Sequence, residues 1–173
     1  DSPDWPAGAH LAGGLDWIFN VAPDKAKQLS AVPALQVKSG ESMRIVWLTM
    51  ASGEKSPTPV LKDIRVRKAL NHAINRQAML KTVVGESARV LHTQCFPSQF
   101  GCTDDGAPRY NYDPAKAKAL LAEAGFPNGF EIDLYAYRER HQTEAIIGYL
   151  RAIGIKANLR YMQYAAMRDA LRE

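Results

Sequence analysis

The sequence is poor in the features that mark several large protein classes. No stretch approaches the ~18 consecutive apolar residues of a membrane-spanning helix, which excludes a helical span within these 173 residues. Glycine (12) and proline (10) fall in no repeated tract, so collagen-like and low-complexity classes are excluded. Charge of one sign is not massed: 22 basic residues face 18 acidic ones, for a net charge of +4. A nucleic-acid interface shows a concentrated basic stripe interleaved with aromatics, and none is present, so no nucleic-acid partner is expected. The opening Asp-Ser-Pro-Asp-Trp-Pro has neither a basic nor an apolar leader region. At the other end, Tyr164–Glu173 reads as a helix with no stop signal, and the expectation is a piece cut from a longer chain.

Catalytic signatures are also missing. There is no Gly-x-Ser-x-Gly, and neither Ser42 nor Ser98 has a recognisable base partner. Gly13-Gly14 lacks the spacing and the Lys-Ser/Thr of a phosphate loop and reads as a tight turn. His10, His72, His92 and His141 are scattered without pairing and read as surface or loop residues. Nothing here nominates an enzyme.

What is present is the pattern of a cored protein, 46% hydrophobic and 23% charged. Residues 15–21, 35–37 and 43–50 read as strands, the last too continuously apolar for a solvent-facing one. Pro23 opens a short helix that Pro33 stops. Asp63 caps a helix with Ile64, Val66, Ala69, Leu70, Ala73 and Ile74 toward the core and Arg65, Lys68 and His72 elsewhere. Asn75 breaks that run, and Arg76–Val84 forms a second short helix closed by Gly85. Residues 86–112 form a long irregular loop, of a length usually functional or disordered. Asp113-Pro114 is a helix start, and Gly125 ends that helix. A strand over 130–137, a helix over 142–153 ended by Gly154, a strand over 155–161 and a last helix follow. This order predicts an α/β fold, bordering on α+β, with a mixed sheet and flanking helices.

Two features carry chemistry. Cys95 and Cys102 bracket Phe-Pro-Ser-Gln-Phe-Gly, a spacing that lets the chain double back into a disulfide. Two thiols, or a metal set with His92, remain open on spacing alone, although that set supplies only three ligands. Tyr135, Tyr137, Arg138 and Arg140 lie where a strand ends and a helix begins. Aromatic planes, guanidinium groups and a helix start together suit a carboxylate or an extended polar ligand. The bland alternative pairs both arginines with Glu139, Glu144 or Asp133 on a solvated edge. Lys62, Arg65, Lys68, Arg168 and Arg172 read as solvated helix faces.

These residues form a recognisable pattern. Asp63-Ile-Arg-Val-Arg-Lys-Ala-Leu-Asn-His-Ala-Ile-Asn-Arg resembles the D-x-R-V-R-x-A-L-x-x-A-I-(D/N)-R segment of family 5 extracellular solute-binding proteins, the dipeptide, oligopeptide and nickel receptors of bacterial ABC importers. Tyr112-Asp-Pro-Ala-Lys-Ala-Lys-Ala-Leu-Leu-Ala-Glu-Ala-Gly-Phe-Pro-Asn-Gly-Phe resembles that family's second signature, and Leu150-Arg-Ala-Ile-Gly-Ile-Lys-Ala its L-x-x-I-G-I-x-V. Asp16–Ala26 is similar to the stretch before the crossover into the second large lobe. The likeness is colinear from about residue 13 to the end.

The resemblance implies one lobe of a periplasmic-binding-protein-like clamshell, with residues 1–38 ending the first lobe and 39–173 forming a truncated C-terminal-side lobe. It implies a monomeric binding protein without cofactor, metal or catalysis. Its partners would be a small solute, peptide-like in the first instance, and ABC permease subunits, and its place the periplasm or the outer side of the cell membrane. That compartment would favour the disulfide. In dipeptide-binding relatives an arginine just after the strand matching 130–137 holds the ligand's carboxylate; Arg138 or Arg140 occupies that position, with Tyr135 and Tyr137 beside it. The Cys95–Cys102 segment departs from the peptide-binding pattern, so a sugar derivative or metal chelate is an alternative solute. A ligand sensor of the same fold, signalling to a membrane receptor, is an alternative role.

Overall fold

A computed structural model describes residues 13–19, 21, 23–40, 43–54, 56–85 and 88–171. His10, Ser42 and Arg172, all considered above, lie outside the described residues. The chain divides into two compact units, 1–42 and 43–173.

In the first unit, α1 (Pro23–Ser30) forms where the Pro23 start predicts it and buries Leu29. The strands expected over 15–21 and 35–37 are absent among the described residues: Trp17 and Phe19 are 84% and 78% exposed. An apolar run reports a wish for burial, but a strand exists only where a second strand accepts its hydrogen bonds. None lies alongside among the described residues.

The second unit carries the core. A 3₁₀ turn (Pro59–Lys62) leads to α2 (Ile64–Ala73), then α3 (Arg76–Met79), which continues as a π-helical turn over Leu80–Val84. After the long loop come α4 (Pro114–Glu123), β1 (Glu131–Ala136), α5 (Arg140–Ala152), β2 (Lys156–Tyr161) and α6 (Tyr164–Ala170). Residues 43–50 form no ladder; Val46 and Trp47 are exposed, while Met50 rests against the core. As in the first unit, the apolar pattern is there without a pairing strand among the described residues.

Local chemistry explains the helix starts. Asp63 Oδ1 accepts from the Arg65 amide at 2.8 Å, and Asp113 Oδ1 from the Lys116 amide at 2.8 Å, each satisfying an amide that the first helical turn leaves unpaired. The Arg65 guanidinium and amide, both bonded to Asp63, hold its carboxyl at about 2, well below the usual carboxylate range. Arg65 Nη1 also donates to the Glu123 carbonyl at 2.7 Å, tying the start of α2 to the end of α4.

Helices α2 and α4 pack face to face through Val66, Ala69, Leu70, Ala73, Ala117 and Leu121, and Leu150, Ile153 and Ile155 close the cluster from the βαβ side. The alanines let the helix backbones approach. Burying Val66, Leu121, Leu150 and Ile155 contributes about 1.5–3 kcal/mol each. Ile64, expected on the core face, is exposed.

His72 corrects the reading of it as a surface group. It is buried, its Nδ1 hydrogen-bonded to the Asn111 carbonyl at 2.8 Å and its ring edge-on to Tyr110. The loop end that covers it returns from far along the chain, so helical spacing alone could not reveal it.

Strands β1 and β2 pair in parallel, Glu131 opposite Lys156 through Ala136 opposite Tyr161. They are the whole sheet among the described residues, so the expected mixed sheet reduces there to a parallel pair. Both strands therefore end on the same side, and α5, which joins them, starts there too.

Candidate functional site

The side where β1 and β2 end is also where an α/β sheet offers its ligand crevice. The connection from β1 to α5 is Tyr137-Arg138-Glu139. The Arg138 guanidinium carbon lies 5.5 Å from the centroid of the Tyr137 ring, and Tyr137 packs against Tyr164, the first residue of α6, at 5.0 Å. Arg140, the first residue of α5, sits over the Tyr161 ring at 5.4 Å and donates from Nε to Glu144 Oε1 at 2.8 Å. The result is a patch of three tyrosine rings and two guanidinium groups drawn from both strand ends and two helix starts.

The two arginines differ. Arg140 has a carboxylate partner one helical turn on, as the solvated-edge alternative expects. Among the described residues no carboxylate pairs with Arg138, although its immediate neighbour is Glu139. Glu139 instead pairs with Arg44. His141 is highly exposed, with Nδ1 3.9 Å from Glu144.

Tyr135 stands apart. Its register partner is Arg160, on the face of the sheet that carries Glu131, Asp133, Lys156 and Asn158. That face is laced by charge: Lys156 reaches Glu131 at 3.1 Å, Asn158 Nδ2 donates to Glu131 at 2.7 Å, and Arg160 Nε meets Asp133 at 3.2 Å. The Asn158 amide and then the Lys156 ammonium lower the Glu131 pKa. Among the described residues Tyr135 makes no ring contact with Tyr137 or Tyr164.

Tyr161, Tyr164 and Arg44 were not among the residues singled out by sequence. Tyr161 was within reach of sequence reasoning, since two strands joined by one helix run parallel and end together. The Arg44 contact spans 95 positions and had no local signal.

Cys95 and Cys102 form a disulfide, with Cα atoms 5.7 Å apart, which removes the thiol and metal alternatives. Gln99 donates its amide to the Phe96 carbonyl at 2.8 Å, and Cys102 to the Gln99 carbonyl at 3.0 Å, so two successive turns fill the ring. No helix among the described residues is long and apolar enough to cross a membrane.

Residues 1–173 match the bacterial extracellular solute-binding proteins, family 5 middle, and the chain belongs to that family. It is 32% identical over 172 residues to heme-binding protein A of Haemophilus influenzae, covering 94% of this chain and 30% of that protein. It is 39% identical over 153 residues to the dipeptide-binding protein of Escherichia coli, covering 82% of this chain and 26% of the relative. Among solved structures it is similar to the ABC transporter-associated periplasmic binding protein DppA of Helicobacter pylori in complex with the peptide STSA. There the TM-score is 0.80 at 26% identity, over 95% of this chain and 31% of that one. These relatives are binding proteins rather than enzymes, and their fold is the α/β fold of periplasmic binding proteins. The chain spans less than a third of the length of each.

Proposed function

We propose that this chain forms the end of the first lobe and most of the second in the substrate-binding component of an ABC importer, which captures a peptide or similar small solute between two lobes and delivers it to the membrane permease. The observation that carries this reading is family membership along the whole chain. Residues 1–38 end the first lobe and cross over; 39–173 belong to the second. The receptor works as a monomer in the periplasm or outside the cell membrane, without catalysis, cofactor or nucleic acid.

Arg138 is the ligand anchor in this reading. A guanidinium backed by an aromatic face and unpaired by any described carboxylate suits two-pronged binding of a ligand carboxylate. Arg140, already paired with Glu144, and the tyrosines Tyr137, Tyr161 and Tyr164 frame it. Tyr135, on the charged face of the sheet, stays outside this frame.

The test is native mass spectrometry of the full receptor purified from the periplasm, to identify the solute that travels with it. A released dipeptide or oligopeptide supports the reading. A sugar derivative or metal chelate keeps the receptor class and overturns the peptide assignment. A receptor that arrives empty and gains no thermal stability from any solute class overturns the importer reading.

A further inference from the structure

Glu139 is the single non-glycine residue among the described ones with a positive φ, at φ 52° and ψ 47°. Left-handed backbone is uncommon outside glycine, and glycine would adopt it without steric cost. Glu139 also occupies the N-cap of α5, where Ser, Thr, Asp or Asn would bond the helix amides, yet its side chain makes no such bond. Only its backbone serves the helix, the carbonyl accepting from the Thr143 amide at 3.0 Å and from Thr143 Oγ1 at 3.1 Å. The carboxylate turns away to Arg44, on the 43–50 segment.

Two consequences meet at Arg138. On either side of the left-handed turn, Arg138 lies back over Tyr137 and Arg140 leaves along the helix toward Glu144. The acid nearest to Arg138 in the chain is meanwhile occupied by another cation. Left unpaired, a carboxylate next to a guanidinium is its natural partner and would compete with any anionic ligand.

We propose that Arg44 and Glu139 act as a positioning pair: Arg44 holds the Glu139 carboxylate away from Arg138, keeping that guanidinium open to a ligand carboxylate. The pair touches no ligand itself. This rests on the reading of Arg138 as the anchor. Arg44 thereby gains a role that neither its exposed position nor its place outside the sheet suggests.

The test uses the full receptor with two readouts: the NMR resonance of the Arg138 side-chain N–H, and affinity for the dipeptide Ala-Ala against its C-terminal amide. Arg44→Ala releases Glu139, so the Arg138 resonance moves as the two side chains pair, and Ala-Ala binding weakens about fivefold while amide binding does not change. Adding Glu139→Gln removes the competing charge and restores both readouts. A purely structural role for Arg44 would make the double variant no better than Arg44→Ala, and that result overturns the proposal. An unmoved Arg138 resonance in Arg44→Ala overturns it equally. If the resonance moves and returns as stated but the unmutated receptor does not distinguish Ala-Ala from its amide, the positioning pair stands and the anchor reading falls.

Discussion

Gly129 and Gly154 pass backbone against backbone just ahead of the two strands: a methyl group on Gly129 would stand 1.9 Å from the Gly154 carbonyl oxygen. Both residues have positive φ, 76° and 92°. The close approach sets the first rung of the ladder, where the Lys156 amide donates to the Phe130 carbonyl at 2.9 Å.

Gly129→Ala therefore combines left-handed backbone with an overlap that only backbone movement can relieve, and should cost about 3 kcal/mol in urea unfolding. Gly125→Ala is the control. Gly125 also has a positive φ, 91°, but a Cβ there meets nothing within 4 Å, so about 1 kcal/mol is expected. Equal losses would show that the contact is not tight.

Arg138→Ala in the receptor should weaken binding of a carboxylate-bearing peptide by about 2–5 kcal/mol, the usual loss when one member of a desolvated charge pair is removed. Arg140→Ala should cost less than about 1 kcal/mol, because what it gives up is an exposed bond to Glu144 and a contact over the Tyr161 ring. Calorimetric titration of both variants decides the assignment; the reverse order would move the anchor to Arg140.

Replacing Cys95 and Cys102 together by serine opens a short ring whose closure contributes about 2.5 kcal/mol through the unfolded chain. The stability loss should appear in thermal unfolding and be matched by adding reductant to the unmutated protein.

The Asp63 carboxyl, held at about 2 by Arg65, is more acidic when folded than its ordinary value of about 3.9 when unfolded. Its contribution is fully present above about pH 4 and is lost as pH falls toward 2. Asp63→Asn keeps a capping oxygen but removes the charge facing Arg65. Unfolding followed between pH 5 and 2 should show a shallower acid loss in that variant than in the unmutated protein.

Helix boundaries were legible because their causes are local. Asp63, Asp113-Pro114, Gly125 and Gly154 each act within a turn or two of their own position, and each stands at a helix end in the structure. The expected strands over 15–21, 35–37 and 43–50 depended on partners that apolar patterning cannot supply, and none forms a ladder among the described residues. The candidate site was legible as a strand end rich in arginine and tyrosine. Its second half, Tyr161 and Tyr164, needed the register of β1 against β2. The difference between Arg138 and Arg140 needed to know where Glu139 and Glu144 turn, which no spacing rule records.

The long loop is fastened where it rejoins the core. Arg76 Nη2 donates to the Tyr110 carbonyl at 2.5 Å, His72 holds Asn111, and the Asp113 amide donates to the His72 carbonyl at 2.8 Å. At its other end the Gly85 amide closes the π turn on Leu80 at 2.8 Å. Doubling the length of a loop between fixed ends costs only about 0.6 kcal/mol. Insertions or deletions between these anchors that leave the buried Phe96 in place would leave α2 and α4 undisturbed, so this segment can diverge in length while the helices around it keep their packing.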